Sequence, residues 1–480
     1  MSSINYTKAF DQILFKLKSQ HLKLKELENE ILLQFDLLFH DTRVPILKKD
    51  NDVPYQKVDF KKVFETSQKN LPIIEKLLQE ILTRAVQSRD YLSHHAIQTI
   101  VSNCIILAAQ YSNSERDWSC STVSHSASRI LTMLVSKKNH GTGLEILMSS
   151  SNSIEIKDLL KIADDAEVTN YKFGIILKPL LLFLSKHLNK EIWKNDPGAQ
   201  EFLLWLLYNL SQDDLSDQLG YLMPGILLLL DDWEPHNKIT ALEALVYIIN
   251  NVAGSELRCT GRAAVIYEAA KHHLYSRDPE LLQAAYPTAT AAAVVLQQDP
   301  SIAHSAQLSA AEEVLSMLLR DMVFEQRLDL RSVYVTNLPA ALSAAGIRSV
   351  RWQDQVVQVL CNYLTTFEGA SARDRLCALK ALQVYSSECW PQAGRQRDEI
   401  LKALLQLVYT STAEGPLQLQ PKVLEEVLDE CRQCVQQLLL CQPPPEPNLL
   451  TGLDSLALPA ALQQNVHRVF EIPIKEQIVK

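Results

Sequence analysis

The residues best equipped for chemistry in this chain are two histidine pairs, one Cys-x-x-Cys and several groups of aspartates. His94-His95 and His272-His273 have the side chains of a zinc or proton-transfer site. Neighbours on a helix point about 100° apart, so one ion cannot easily take both rings, and structural or surface histidines are expected instead. Cys431-x-x-Cys434, with Cys441 nearby, has the spacing of a redox or zinc half-site. It falls in a helical stretch with no second CxxC or histidine pair close by and only His467 after it, so no zinc site is expected. Asp213, Asp214 and Asp217, and Asp164 with Asp165, could in principle hold a cation. They lack the spacing and glycine of a calcium loop, and helix capping is the expected role. No phosphate-binding loop, dinucleotide fingerprint, GxSxG elbow or HExxH occurs. These residues supply no catalytic constellation, metal ligand or cofactor site, and the chain reads as a non-enzyme.

The elements that carry these residues are helices. Pro224 to Asn250, PGILLLLDDWEPHNKITALEALVYIIN, reads as an apolar helix, an acidic corner at Asp231 and Asp232, and a second helix from about Asn237. Ile239, Leu242, Leu245, Val246 and Ile249 step by three and four, which puts them on one face and leaves Glu243 facing away. A single hairpin cannot bury such a face. The order Pro224, Leu227, Leu230, Asp232, Lys238, Ala241, Ala244 resembles one HEAT repeat, a unit that stacks on copies of itself. Asp232 is expected to cap the second helix or to pair with Lys238.

The pattern recurs downstream. Arg262–Leu274 pairs with Glu280–Leu296 across an Asp278-Pro279 corner, Ala310–Val323 with Leu330–Ala345, Val350–Phe367 with Ser371–Ser387, and Arg397–Thr410 with Pro421–Leu440. Proline at the first helical position after an aspartate is a strong start signal. The prolines 443, 444, 445 and 447 then stop the array, and Leu453–Lys480 holds at most one short helix, which Val469, Phe470, Ile472 and Ile474 could dock.

Upstream, Asn5–His40 reads as one long helical pattern whose lysines alternate with glutamates, a solvated face. Further helices are expected at Val63–Arg84, Tyr91–Tyr111, His125–Val135, Tyr171–Leu188 and Gln200–Ser211. Polar breaks fall at Lys48–Gln56, Ser112–Ser124 and Lys137–Ser153, the last carrying Ser149, Ser150, Ser151, Asn152 and Ser153. Trp193 and Trp205 near a helix start are expected in core or inter-repeat packing. The expected organisation is an all-α chain. It has an N-terminal long-helix region at 1–48, a helical region at 59–150, a HEAT/armadillo-like α-solenoid at 151–441, and a Pro-rich break and tail at 442–480.

Bulk numbers agree with this. At 480 residues the chain exceeds one ordinary core, and 47% hydrophobic with 21% charged residues is a folding composition. Only 13 glycines occur, none before Gly141, so hairpin-rich β architecture is not expected. A net charge of -9 without a dense basic block argues against a nucleic-acid binder. No apolar run is long enough to span a bilayer, and MSSINYTKAFDQILFKLK lacks the layout of a signal peptide. An odd nine cysteines, spread over helices, fit reduced thiols in the cytosol or nucleus.

The ordered set IWKNDPGAQEFLLWLL (Ile192–Leu207), PGILLLLDDWEPHNKI, RAAVIYEAAKHHLYSRDPELLQA (Arg262–Ala284) and EQRLDLRSVYVTNLPAALSAAGI (Glu325–Ile347) carries a likeness. It resembles the family of the smallest subunit of the TTT co-chaperone complex, over about Ile192 to Trp390. Members often have glycine shortly after the helix-opening lysine, where this chain has Thr240 and Ala241. The resemblance implies a non-enzymatic α-solenoid that binds the other two TTT subunits, with the largest as direct contact. With the heat-shock chaperone and RuvB-like ATPase co-chaperones, that assembly would mature phosphatidylinositol-3-kinase-related kinases in cytoplasm and nucleus, feeding growth signalling and the DNA-damage response. Asp231, Asp232, Trp233, Asn237, Lys238, Trp193, Trp205, Arg262 and Tyr267 are the residues expected to fix corners or touch a partner. An importin-like transport adaptor is the alternative reading, and a hydrolase built on the histidines or Cys431 a third.

Overall fold

Asp278 and Pro279 illustrate how local sequence builds the fold. The Asp278 carboxylate accepts the backbone N–H groups of Glu280 (3.0 Å) and Leu281 (3.4 Å), and the helix runs from Pro279 to Gln297. The aspartate satisfies donors that a helix start leaves open, and proline lacks the N–H that would otherwise be orphaned there. Ser309 does the same for Ala310–Phe324: its hydroxyl accepts the Glu312 N–H (3.3 Å) while the Glu312 carboxylate accepts the Ser309 N–H (2.8 Å).

A computed structural model of the chain describes residues 3–18, 22–47, 55–88, 92–137, 144–146, 169–297, 308–366, 372–412, 419–441 and 459–470. It divides into two units, Met1–Asp231 and Asp232–Lys480.

The second unit is a two-layer α-solenoid of HEAT-like hairpins. One layer stacks Pro235–Asn251, Pro279–Gln297, Leu328–Ala345, Arg373–Glu388 and Pro421–Leu440, each on the next. The other holds Arg262–His273, then Ala310–Phe324, Gln353–Thr365, Arg397–Thr412 and Ala460–Phe470, the last four stacked in that order. The four expected downstream hairpins are all present. Leu242, Leu282, Leu338, Leu379, Leu382 and Leu438 are fully buried between the layers, each contributing about 1.5–3 kcal/mol of transfer free energy. Tyr286 and Tyr334 meet edge to face at 6.0 Å between neighbouring helices. The expected tail helix is Ala460–Phe470; Leu462, Val466, Val469 and Phe470 bury it on Arg397–Thr412 and Pro421–Leu440, so it extends the array by one helix. Ile472, Ile474 and the polyproline stretch lie outside the described residues.

In the first unit, Leu24–Thr42 packs on Lys57–Ser88 and His94–Gln110. His94–Gln110 in turn packs on Ser121–Leu134, Thr169–His187 and Pro197–Asn209, and Gln212–Leu230 lies against Thr169–His187 and Pro197–Asn209. Three expectations change here. The N-terminal pattern is two helices, Ser3–Lys18 and Leu24–Thr42, with Lys23 extended (φ -74°, ψ 146°) at the start of the second; they pack together, and Lys16 pairs with Glu30 at 2.7 Å. The helix expected to open at Pro224 begins at Gln212, where Ser211 Oγ accepts the Asp214 N–H (3.2 Å), and continues through Pro224. Proline removes one ladder bond, which the long apolar packing surface tolerates. The break after Leu134 holds a small antiparallel ribbon, Val135–Lys137 with Leu144–Ile146, in the register Val135 to Ile146. Asp164, Asp165 and Ser149 to Ser153 lie outside the described residues.

Candidate interaction surface

In the second unit, Asp232 is 5% exposed although its neighbour Trp233 is 45% exposed. Its carboxylate accepts the Trp233 N–H (2.8 Å) and the Asn237 side-chain amide (2.7 Å). The position that opens helix Pro235–Asn251 is Glu234, which makes no side-chain cap bond. Asp232 therefore serves the corner through Asn237 in the first turn, while Glu234 holds the position that opens the helix. Lys238, half-buried, donates its backbone N–H to the Glu234 carbonyl (3.4 Å).

Arg262 opens helix Arg262–His273 after Gly261, whose φ of +70° suits glycine, and lies 3.9 Å from Glu256. Tyr267, 4% exposed, donates its hydroxyl to Glu313 (2.8 Å) and to the Ala310 carbonyl (3.2 Å). Lys271 Nζ donates to the same Glu313 oxygen at 2.6 Å. Burial pushes the Glu313 carboxyl up, but the bonds from Lys271 and Tyr267 and the lysine charge outweigh it, and the group sits below its ordinary value. Burial and the Glu313 acceptor together push Tyr267 up. This trio joins Arg262–His273 to the following hairpin, so Tyr267 fixes repeat stacking. Two further joints escape a linear reading. Glu312 pairs with Arg348 (3.2 Å) and Arg351 (3.5 Å), and the Arg331 guanidinium lies 3.9 Å over the Tyr363 ring.

In the first unit, Trp193 is buried at 4% and its carbonyl accepts the Gln200 amide (2.9 Å). Trp205 is half-buried and stacks with Phe202, centroids 6.4 Å apart. Both fill packing positions. Asp231 is exposed and closes helix Gln212–Leu230, donating its N–H to the Leu227 carbonyl (3.0 Å). A buried polar cluster lies three residues beyond Trp193. Asp196 is fully buried. One carboxylate oxygen faces Arg43 Nη2 (2.8 Å) and His187 Nδ1 (3.0 Å), and the other accepts the Ala199 N–H (3.0 Å). Arg43 also covers the Phe183 ring at 4.7 Å. The extended segment after it runs over the same junction: Val44 N–H donates to Gln110 Oε1 (3.2 Å) and Leu47 N–H to the Asn195 carbonyl (2.8 Å). A Cβ on Gly198 would stand 2.8 Å from Val44 Cβ, so only glycine lets the strap lie this close. The Asp-Pro step at 196–197 is the sequence signal for this centre; Arg43 lies 153 residues away, while His187 ends the preceding helix.

Beside that centre, helix Gln212–Leu230 turns Asp213, Asp217, Tyr221 and Pro224 to solvent, and Tyr208 is exposed at the end of the preceding helix. Tyr221 is 56% exposed and Tyr208 40%. Asp214 instead turns back to the Ser211 hydroxyl.

The chemistry-bearing pairs stay apart. His94, His95 and His272 are exposed, and the rings of His272 and His273 meet edge to face at 5.5 Å. Cys431 and Cys434 are fully buried; burial pushes the Cys431 thiol well up and the Cys434 thiol up to about 12. A metal or redox half-site needs accessible thiolate, which this setting disfavours. Among the described residues no group of three or more His, Cys, Asp or Glu could hold a metal ion, and no helix is long and apolar enough to cross a membrane. A cleft of about 620 Å³ between Pro279–Gln297 and Leu328–Ala345 is walled by Ala291, Val294, Ala340 and Ala344 together with Thr290, Gln297 and Ser343.

Comparison with known proteins follows the same stretch of chain. The Tti2 family matches residues 104–369. TELO2-interacting protein 2 of Homo sapiens is 31% identical over 267 residues, covering 55% of this chain and 52% of that protein. The Mus musculus protein of the same name is 32% identical over 239 residues, covering 49% and 46%. The chain thus spans about half the length of the curated relatives it matches. Among solved structures, a chain of a Kap95p and RanGDP structure has TM-score 0.48 at 13% identity, covering 87% of this chain and 43% of that one. The karyopherin Kap121p bound to the C-terminus of Cdc14p has TM-score 0.45 at 13% identity, covering 89% and 42%.

Proposed function

The chain belongs to the Tti2 family, and on that premise we propose that it is a non-enzymatic scaffold, the small helical subunit of a TTT-type co-chaperone assembly that binds a TELO2-type subunit directly. The family match over residues 104–369, with relatives named as TELO2-interacting, carries the reading. A stacked hairpin array supports it physically. It offers long edges of side chains at fixed spacing, and an ordinary interface of about 1,600 Å² needs only a few of its helices. Such a subunit acts by proximity, holding client and chaperone in one assembly and raising their effective concentration without bond chemistry. In the finer reading the clients are phosphatidylinositol-3-kinase-related kinases, the chaperone machinery is the heat-shock chaperone with RuvB-like ATPases, and the work is done in cytoplasm and nucleus.

The test is reconstitution. The purified chain should co-elute with the TELO2-type subunit and the third TTT subunit in fixed stoichiometry. Separate elution, with every protein folded, refutes the scaffold reading. A Ran-type small GTPase is the control for a transport adaptor, and no complex is expected with it.

A further inference from the structure

We propose that the edge where two neighbouring corners of the second unit meet docks an acidic amphipathic segment of a partner polypeptide, its apolar side chains on Phe324, Leu328 and Tyr275 and its carboxylates on Arg277, Arg320 and Arg327. The corners are 274–278, between helices Arg262–His273 and Pro279–Gln297, and 325–327, between Ala310–Phe324 and Leu328–Ala345. Arg277 Nη1 joins them by pairing with Glu325 at 2.6 Å. Arg320 precedes Phe324 by one helical turn and so shares its face. Tyr275 lies within electrostatic reach of Arg320 and Lys271. Phe324 is 79% exposed, Tyr275 63% and Leu328 60%, so three large apolar side chains stand on one edge.

Charge complementarity names the occupant. Each arginine of the edge pairs with one carboxylate, Arg277 with Glu325, Arg320 with Asp321 and Arg327 with Asp329. The depths differ: Glu325 and Asp321 keep 8% and 18% of their side chains exposed, whereas Arg277, Arg320 and Arg327 keep 69%, 56% and 55%. A guanidinium has five N–H donors. Among the described residues Arg277 donates only from Nη1 and Arg320 only from Nε, which leaves the other donors to solvent or a ligand. Scattered exposed apolar residues are ordinary, but three of them beside open guanidinium donors have the make-up of an interface centre, where aromatic and arginine side chains dominate. Carboxylates fit the guanidinium forks, and leucine or phenylalanine on the same segment takes Phe324, Leu328 and Tyr275 out of water. Nucleic acid and acidic membranes instead draw on net positive charge, which three positive and three negative groups do not supply.

Two probes test the edge: the TELO2-type subunit, whose use rests on the function proposed above, and a synthetic amphipathic Glu/Leu helix, which does not depend on it. Phe324→Ala/Leu328→Ala should weaken binding at least about tenfold and Arg277→Gln/Arg320→Gln several-fold. Tyr409→Ala/Leu440→Ala removes two exposed apolar side chains elsewhere in the second unit and should leave affinity as it is. A Lys/Leu helix of the same length and vesicles containing phosphatidylserine should not bind. Circular-dichroism melts check folding. If the double alanine variant unfolds, Phe324→Gln decides, with a several-fold loss expected. Equal binding of wild type and the Phe324 and Arg277 variants to both probes overturns the proposal, as does binding of the Lys/Leu helix or the vesicles in place of the Glu/Leu helix. A Glu/Leu helix bound through Phe324 and Arg277 by a chain that ignores the subunit upholds the edge and removes the subunit as its occupant. Subunit binding indifferent to both residues, with no peptide bound, removes the edge and leaves the proposed function standing. Binding to neither probe ends both.

Discussion

Removing the Asp196 carboxylate should unsettle the first unit more than any other single acidic substitution in it. The group is fully buried, faces Arg43 at 2.8 Å and His187 at 3.0 Å, and accepts the Ala199 N–H at 3.0 Å. Breaking one side of a buried pair typically costs about 3–5 kcal/mol. Arg43 keeps 30% of its side chain exposed, so solvent screens part of the orphaned charge and the low end applies, about 3 kcal/mol. Losing the cap adds about 1 kcal/mol. Asp196→Ala is therefore expected to lose about 3–4 kcal/mol. Asp196→Asn keeps an acceptor for Ala199 and should lose about 2 kcal/mol. Urea unfolding, combined with hydrogen exchange at the amides of Pro197–Asn209, reads the first unit separately from the second. If the alanine variant loses only about 1 kcal/mol, the value of a cap alone, and the asparagine variant matches wild type, the pairing with Arg43 and His187 contributes nothing and the argument fails.

Other consequences are equally open to measurement. Gly198→Ala should lose about 1–3 kcal/mol by overpacking against Val44 and Gln110, and Val44→Gly, which removes the clashing Cβ, should relieve part of it in a double-variant melt. Asp232→Ala and Asn237→Ala should each destabilise the second unit by about 0.5–1.5 kcal/mol, with little further loss in the double variant because one bond joins them; additive losses would show independent roles. Acid should weaken the second unit. Glu312 and Glu313 are held below their ordinary 4.5: burial opposes this, while Ser309 and Arg348 favour ionised Glu312, and Lys271 and Tyr267 favour ionised Glu313. Their stabilisation is present above that ordinary value and is lost as pH falls through the lowered ones, and Glu313→Gln should flatten the acid limb of the melting profile. Alkylation should label Cys120 in the native state: burial pushes its thiol up, but bonds from Thr122, Val123 and Gln68 bring it below the ordinary value. Cys104, Cys431 and Cys434 should label only on unfolding.

Helical periodicity and start signals read from sequence account for most of the second unit. Asp278-Pro279 starts a helix because both residues act on backbone groups within three positions, and apolar residues at three and four spacings mark the buried face wherever the partner helix lies. The same local physics explains why Pro224 misleads. A proline inside a helix and a proline at its start look alike until the packing of Leu215, Leu219, Ile226 and Leu229 shows one continuous buried face. The break between Lys18 and Leu24 is equally hidden, since apolar spacing runs through it and only the packing of the two helices on each other reveals the fold-back.

What no local pattern determines is which polar residue meets which. Asp232 could be expected at a corner, but its choice of Asn237 depends on side-chain directions in a folded turn. Asp196 could be expected to cap, while Arg43 reaches it from a distant segment and His187 from the end of the preceding helix, both through tertiary packing. For the same reason a run of aspartates reads alike whether its members turn inward or outward. Folding answers Asp196, Glu201 and Asp214 from within the first unit and leaves Asp213 and Asp217 facing solvent, because pairing energy is set by distance and burial, which sequence order does not encode.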